Sequence, residues 1–461
     1  MIVGVTVLPE YIQNEGVDSV LDRLAAAGVT HVATSPYVME PADQATGSRE
    51  PPVDAGAGGV RLLDRPLWGK RELFVRTAPS FMPNVKHYAG LAYQPATPNA
   101  LTAVEGGKIA AFIKGAHARK LKVYLQVQAA IPPGYRVQFG GPKPEDTPRL
   151  PDGRVPPMRL DKNGSLASPR IVAYVQALTR DLLGQYPEID GIRYDWPEYT
   201  PYMLDDLFLD FSEPARAAAQ RLGYPFERMR VAALKLYQHL HGGLTNKSLE
   251  QDFGRYGMMR MLMHEPALVD WLRFKAALVE ELFVKLRQVV PSRIEIAPGA
   301  FPPPFSLASG MDYGKVARHV SAIHVKLYTM HWPMMFRFYG DALLKANPKL
   351  DERLLVKALS ALLELTDGQQ GEMLANYNYP EPDQPHPAGV NVQTSKIKQA
   401  QAEAGNTPVI AFVHGYGPVN DFGKRLEVGW KASRHGIWIN RYGYLSNEKI
   451  AVLGRLVKTQ V

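Results

Sequence analysis

The sequence predicts an α/β protein whose chain forms a parallel (β/α)8 barrel, also called a TIM barrel. Eight short runs rich in apolar and β-branched residues recur along the 461 residues. Amphipathic stretches separate these runs, so predicted strands and helices alternate, as a parallel barrel requires. The main alternative is a doubly wound open sheet. That fold usually carries a glycine-rich first turn, whereas "LPEY" follows the first run here.

The strands are predicted from their length and composition, and the helices from apolar residues at helical spacing. The predicted strands are IVGVTV (2–7), VTHVATS (29–35), LKVYLQVQ (121–128), IDGIRYD (189–195), RIEIAP (293–298), SAIHVKLY (321–328), PVIAFVH (408–414) and GIWINRY (436–442). Helical spacing is seen after the first strand, before the fourth and after the last, at Val17, Val20, Leu21, Leu24, Ile171, Val175, Leu178, Leu182, Ile450, Leu453, Leu456 and Val457.

Three connections are too long for a minimal barrel. Residues 38–100 and 132–165 are rich in proline and glycine, and residues 203–290 are mostly helical in pattern. Each leaves the C-terminal end of a predicted strand, the end at which barrel enzymes build their pockets. We therefore expect one catalytic barrel over 1–461 with three insertions, not several domains.

Composition excludes several classes of function. The 53 basic and 45 acidic residues give a net charge of +8, but the basic residues are dispersed, so a nucleic-acid partner is not expected. The chain has no cysteine, which rules out disulfides, thiolate metal sites and cysteine nucleophiles. With no leader pattern and no apolar run of about 18 residues, a cytoplasmic protein without a membrane partner is expected. No cofactor is predicted, and a homodimer is left open.

Polar residues collect at the ends of at least six predicted strands. In the fourth strand Arg193 and Asp195 share one face, and Glu198 follows on the loop. The other strands contribute Glu10, Gln126, Gln128, Glu295, His324, Lys326, Tyr328, His414, Tyr416, Asp421, Asn440 and Arg441. Burying so many unpaired polar groups would cost several kcal/mol, so we expect them to line a wet cavity or to pair with one another.

Paired carboxylates and flat aromatic rings indicate a carbohydrate site. Two acids that flank a sugar can divide the acid and the base or nucleophile roles between them. Asp195, beside Arg193, is the expected ionised partner, and Glu295, between two isoleucines, is the expected protonated acid. The rings and imidazole expected to contact the sugar are those of Trp196, Tyr199, Tyr328, His331, Trp332 and Tyr416.

The segment "GIRYD" resembles the Gly-φ-Arg-x-Asp segment of the α-amylase superfamily, whose aspartate is the nucleophile. The resemblance implies a nucleophile at Asp195 and an acid/base at Glu295. More broadly, "YPEIDGIRYDWPEY" and "GIWINRYGY" resemble uncharacterised bacterial glycosidase-like (β/α)8 proteins. The chain departs from the amylase pattern after the seventh strand, where His414 and Asp421 are too far apart. It also departs at the third strand, which reads "QVQAAIPPG".

Two other arrangements of the acids stay open. Asp195 and Glu198 would work together from one loop, with Glu295 structural. Alternatively, Glu10 or Asp195 pairs with His414 as the base, an arrangement similar to that of inverting sialidases. The cations Arg193, Lys326 and Arg441 would suit a sugar carboxylate, so a sialic or uronic acid is the favoured substrate.

Rival functions use the same residues differently. A metal-dependent hydrolase would need a scattered site from Glu10, His324 and His414. A Schiff-base enzyme of the lyase or aldolase type would use Lys326. A carbohydrate-binding barrel without catalysis would keep the aromatic rings and the cations but would need no acid pair.

Overall fold

A computed structural model of the protein describes residues 1–52, 61–368 and 370–460. Part of the insertion predicted at 38–100, namely 53–60, lies outside the described residues. The strands are β1 (Ile2–Thr6), β2 (His31–Thr34), β3 (Tyr37–Ala42), β4 (Ser48–Glu50), β5 (Leu73–Pro79), β6 (Lys122–Gln128), β7 (Gly191–Asp195), β8 (Glu295–Ile296), β9 (Gly299–Ala300), β10 (Ile323–Leu327), β11 (Val409–His414) and β12 (Gly436–Asn440).

Nine of these strands form one parallel sheet in the order β8-β7-β6-β2-β1-β12-β11-β10-β9. The two ends of that order, β8 and β9, are separated by only two residues of chain, 297 and 298. Because β8 pairs with β7 and β9 pairs with β10, this one segment closes the ring as its fifth strand. The predicted (β/α)8 barrel is confirmed, and all eight predicted runs supply its strands.

Helices alternate with the strands around the ring. They are α1 (Pro9–Glu15), α2 (Val17–Ala26), α3 (Ala100–Glu105), α4 (Gly107–Ala118), α5 (Pro169–Gln185), α6 (Glu213–Leu222), α7 (Phe226–Leu240), α8 (Asn246–Asp252), α9 (Arg255–His264), α10 (Pro266–Arg287), α11 (Phe305–Ser309), α12 (Tyr313–Val316), α13 (His331–Ala346), α14 (Glu352–Leu363), α15 (Val390–Ala404), α16 (Val419–Ala432) and α17 (Asn447–Gln460). In α5 the predicted apolar positions are all buried. Its N-terminus is capped by Ser168, whose side chain accepts from two backbone N–H groups.

The interior of the ring is filled by side chains. Tyr124, Phe412 and Trp438 form an apolar cluster there with small residues of the neighbouring strands. The Arg193 guanidinium lies 3.9 Å from the centre of the Trp438 ring. Because the interior of a parallel barrel is packed, its pocket is expected beyond the C-terminal ends of the strands, where loops and insertions meet.

The insertions differ in structure. The 38–100 connection, expected as loop, contains an antiparallel sheet in the order β3-β5-β4, because β3 pairs with the distant β5. That pairing is a long-range contact, which local composition does not reveal. The 132–165 connection contains only one short 3-10 turn, and the 203–290 connection holds α6 to α10. Among the described helices, none combines the length and apolar character that a membrane span requires.

Candidate active site

A cavity of about 120 Å³ opens at the C-terminal ends of the barrel strands. Loops from the first to the fourth strands and from the sixth to the eighth contribute to its wall. Of the residues predicted from the sequence, those lining it are Gln126, Gln128, Asp195, Trp196, Tyr328, His331, His414, Asn440 and Arg441. The expectation that polar strand ends gather around one opening thus matches the geometry for these nine residues.

Asp195 is the only carboxylate among the described residues that line this cavity. It ends β7, and its side chain is 20% exposed. Its Oδ1 lies 2.8 Å from Nζ of Lys326, which is itself buried. From the sequence, Arg193 is the expected partner of Asp195. The structure corrects this, because the cation paired with Asp195 is Lys326, from the sixth strand of the ring.

Trp196 follows Asp195 in a left-handed backbone conformation, with φ of 49°. A large residue at positive φ is rare and costs roughly 1–3 kcal/mol, and such residues concentrate at functional sites. Asn163 holds the turn in place, because its side-chain amide donates to the carbonyl oxygens of Trp196 at 3.0 Å and of Glu198 at 3.1 Å. The turn leaves the indole on the cavity wall against Tyr202.

Glu198 lies behind Asp195 and is fully buried. One carboxylate oxygen accepts from the backbone N–H of Phe301 at 2.8 Å, and the other accepts from the Ser309 hydroxyl. Burial raises the pKa of Glu198 to about 7, and the negative charge of Asp195 adds to the rise, while Lys326 opposes it. A carboxyl group with this pKa exchanges its proton near neutral pH, as a general acid must.

A buried network of charges borders the cavity on the side of the insertion. Arg136 donates to Glu10 at 2.9 Å and is paired with Glu50 at 2.8 Å, and Glu50 also accepts from Arg441. Burial raises the pKa of Glu10. The pKa of Glu50 is lowered, because its two arginines outweigh the cost of its burial. Glu10 is thus paired with Arg136 and is not part of the cavity lining. The network also connects Glu50, at the end of β4, to the barrel.

His414 ends β11 at the cavity wall. Its Nδ1 accepts from the backbone N–H of Tyr416 at 3.1 Å. An imidazole nitrogen that accepts carries no proton, so the neutral ring carries its proton on Nε2. In this state Nε2 of His414 is a hydrogen-bond donor, and the role of base that the sequence left open for His414 stays a prediction.

Arg193 and His324 lie inside the barrel, below the cavity, and both are buried. Arg193 donates to the Thr6 hydroxyl at 2.8 Å and bonds Nδ1 of His324 at 2.9 Å. Burial lowers the pKa of His324 well below its usual value, and the nearby Arg193 charge adds to this. The expectation that these two residues contact substrate is corrected, because neither lines the cavity.

Glu295 is at the opposite end of the barrel from Asp195. It is in register with Gly191, the first residue of β7. Its carboxylate pairs with Lys122, the first residue of β6, at 2.5 Å and accepts from the Tyr124 hydroxyl. The predicted pairing of Asp195 with Glu295 is therefore wrong, because Glu295 lies at the N-terminal end of the barrel and Asp195 at the C-terminal end.

Four further predicted contacts are packing or helix residues outside the cavity lining. The Tyr199 hydroxyl donates to Asp210 at 3.3 Å, and Tyr416 donates to a backbone carbonyl at 2.9 Å. Trp332 is buried beneath Lys396, and Asp421 on α16 pairs with a neighbouring arginine. In a sequence, an aromatic or acidic loop residue is compatible with either packing or contact with substrate. Only its surroundings in the structure distinguish the two roles.

The sequence reasoning missed several cavity residues. These are Ser35, Arg61, Tyr135, Arg136 and Tyr202, with Glu50 directly behind them. Arg136 follows "IPPGY" after the third strand, and Tyr202 belongs to the loop that starts at Trp196. Both lie in the first residues of the loop that follows a strand, eight residues after Gln128 and seven after Asp195, and this position could have identified them. Arg61 and Glu50 carry no comparable signal, because they lie far along the chain from the end of β2 at Thr34.

The rival sites are not assembled. In the part of the chain that the structure describes, no three histidine, aspartate or glutamate side chains are placed to hold a metal ion. The scattered set of Glu10, His324 and His414 does not converge, because each has other partners. Lys326 is 2% exposed and ion-paired with Asp195, so its amine does not line the cavity.

No protein-family model matches the chain, and no curated protein matches it. Solved structures with similar folds include a β-galactosidase from the psychrophilic Marinomonas ef1 and the catalytic domain of a β-amylase from Paenibacillus polymyxa. The β-galactosidase aligns with a TM-score of 0.50 and 12% identity over 99% of this chain, which spans 59% of that enzyme. The β-amylase domain aligns with a TM-score of 0.50 and 11% identity over 100% of this chain and 98% of its own. The chain shares the (β/α)8 fold of these two glycoside hydrolases.

Proposed function

We propose that the protein is a glycoside hydrolase that cleaves a glycosidic bond at the C-terminal mouth of its barrel. The observation that carries this proposal is Asp195, a carboxylate at the cavity wall held by a buried ammonium 2.8 Å away. Sugar-ring recognition is supported by the rings of Trp196, Tyr202 and Tyr328 in the same wall. The fold that the chain shares with two glycoside hydrolases is compatible with this activity.

Asp195 and Glu198 are the proposed pair of acids. Glu198, with a pKa of about 7, donates a proton to the oxygen of the leaving sugar. Asp195 either attacks the anomeric carbon or takes a proton from the attacking water. In both cases water adds across the carbon–oxygen bond. If Asp195 attacks, the water that hydrolyses the intermediate returns a proton to Glu198; if Asp195 is the base, it ends protonated with Glu198 ionised, and proton exchange with solvent resets the pair. Transfer from Glu198 requires its hydrogen bond to Ser309 to open and its carboxyl group to reach the cavity, since both of its oxygens are engaged and the residue is buried outside the lining.

The substrate is proposed to be a carbohydrate with an acidic group. The cavity is lined by three arginines, Arg61, Arg136 and Arg441, and by one carboxylate, that of Asp195. Ion pairs with Glu10 and Glu50 partly neutralise Arg136 and Arg441. Guanidinium groups bind carboxylates in a bidentate manner. Uronic and sialic acids combine such a carboxylate with a sugar ring. The small cavity lies below the roughly 300 Å³ of a drug-sized site, which favours recognition of one sugar unit.

A carbohydrate-binding protein without catalysis is the second candidate. The observation that favours it is the hydrogen bonding of Glu198, whose two oxygens are both occupied by protein donors. Such a protein would bind sugars equally well after Asp195→Asn.

The two functions are separated by a panel of chromogenic glycosides, neutral and acidic, tested on the wild type and on Asp195→Asn. A hydrolase is expected to turn over at least one acidic glycoside, and Asp195→Asn to lose at least about a hundredfold in kcat. Circular dichroism of the variant checks that it is folded. Binding of a sugar with no turnover by the wild type would favour the second candidate, and wild-type turnover by Asp195→Asn would contradict the first.

A further inference from the structure

Lys326 presents its ammonium to Asp195 from a nearly closed site. The side chain is 2% exposed, and Nζ lies 5.0 Å from the centre of the Phe301 ring and 5.8 Å from that of Trp196. Burying a charge is costly unless a counter-charge and well-placed neighbours compensate. Here the compensation comes from the carboxylate at the cavity wall and from two aromatic faces.

The backbone leaves room for this ion pair at one glycine. A Cβ added at Gly299 would lie 3.1 Å from Cε of Lys326 and 3.2 Å from Oδ1 of Asp195. Gly299 belongs to β9, which pairs with β10 beside Lys326. The pair therefore packs directly against the main chain of the fifth strand, and any side chain there would press on both of its members.

The ion pair and the hydrogen bond of the Asp195 carboxylate fall on the same oxygen. Oδ1 faces Lys326 and also accepts from the backbone N–H of Trp196 at 3.1 Å. The residue lines the cavity and remains partly exposed. Two contacts on one oxygen anchor the carboxylate at Oδ1, on the side of Lys326.

The same ammonium also acts on Glu198. Lys326 is the strongest of the influences that favour the ionised form of that buried carboxylate, ahead of its two hydrogen bonds. The other groups that face Glu198 are the Asp195 carboxylate, the Ser309 hydroxyl, the Phe301 N–H and the Tyr313 phenol. One cation thus acts on both the partly exposed acid, Asp195, and the buried acid, Glu198.

We propose that Lys326 is a positioning residue for the proposed hydrolysis: it orients the Asp195 carboxylate through Oδ1 and governs how the negative charge is shared between Asp195 and Glu198. This role rests on the proposed function. It also assigns Lys326 to a task other than forming a Schiff base, since the amine is engaged in the ion pair with Asp195.

The test compares Lys326→Met with the wild type on an acidic glycoside that the wild type cleaves. Methionine keeps most of the length of the side chain and removes the charge. We expect kcat to fall at least about tenfold with KM changed less than about threefold, because orientation matters most in the transition state. We also expect the acid limb of the pH–rate profile to move up by about one pH unit, because the adjacent positive charge is gone.

Lys275→Met is the matched control. Lys275 is also fully buried, lies over aromatic rings and donates to the carbonyl of Leu207 at 3.1 Å, but the carboxylates that act on it are those of Asp210 and Asp206, not that of Asp195. It should lose stability without moving the acid limb. Gly299→Ala is the second variant: it keeps the charge and displaces the pair, so kcat should fall while the protein stays folded.

Two results would overturn the role of Lys326 and leave the proposed function standing. They are a wild-type kcat in Lys326→Met or in Gly299→Ala, and a lower kcat in Lys326→Met with an unchanged acid limb. The second would mean that Lys326 acts through packing alone. Full activity of Asp195→Asn would instead overturn the proposed function itself, so the two failures are distinct.

Discussion

Asp195 and Glu295 point into the same barrel from opposite ends. Asp195 is the last residue of β7, whereas Glu295 is in register with the first residue of that strand. Four residues of strand separate the two levels, about 13 Å at roughly 3.3 Å per residue. Two carboxylates that flank a sugar lie much closer, about 5–10 Å apart. The separation does not fit Glu295 as the partner of Asp195 and leaves Glu198 as the proposed second acid.

Glu295→Gln is therefore expected to keep the wild-type kcat. Its partner Lys122 is about half exposed, and exposed ion pairs contribute little, so the free energy of unfolding should fall by less than about 1 kcal/mol. Steady-state kinetics and urea denaturation measure the two effects. A hundredfold loss of kcat in this variant would restore the pairing predicted from the sequence.

Glu198→Gln should change how stability depends on pH. The unfolded state loses the Glu198 proton near pH 4.5 and the folded state near pH 7. Between these values the folded state holds more protons, so raising the pH destabilises it. This group should lower the free energy of unfolding by roughly 3 kcal/mol across that window, at about 1.4 kcal/mol per pKa unit.

In Glu198→Gln this pH-dependent fall in the free energy of unfolding should be absent, because glutamine does not ionise. Urea denaturation of both proteins at pH 4.5 and pH 8 gives the difference between their pH dependences, which cancels the groups that they share. An equal fall in stability for both proteins would show that Glu198 ionises at its ordinary pH in the folded state.

The variants His414→Gln and His414→Ala test whether His414 acts as a hydrogen-bond donor or as a base. Glutamine retains an N–H near the position of Nε2 but cannot accept a proton near neutral pH. If His414 donates, kcat/KM should fall less than about tenfold in the glutamine variant and further in the alanine variant. A loss of the same large size in both variants would indicate a base and contradict the tautomer assigned from the Tyr416 contact.

Arg441→Gln tests whether Arg441 binds an acidic group of the substrate. A lost charge-assisted hydrogen bond costs roughly 1.5–3 kcal/mol, so KM for an acidic glycoside should rise about tenfold to a hundredfold. KM for the neutral counterpart of the same glycoside, measured in parallel, is the internal control and should change less than about threefold. Equal increases for both sugars would mean that the variant perturbs the Glu50 network instead of a carboxylate site.

The sequence by itself determined the eight strands, their order and the end of the barrel at which most polar residues gather. It could do so because strand length, period-2 alternation and the residues that follow a strand are local properties. The segment around Asp195 carries all three signals, and the barrel confirms its place as the fourth strand.

Only the tertiary structure decided which charges meet. The partner of Asp195 is Lys326 from the sixth strand and not its neighbour Arg193, and Arg136 meets Glu50 from a sheet that forms across an insertion. The level of Glu295 depends on the register of β8 against β7. Register and ion pairing arise from contacts between segments far apart in the chain, so the pattern within any one segment does not encode them.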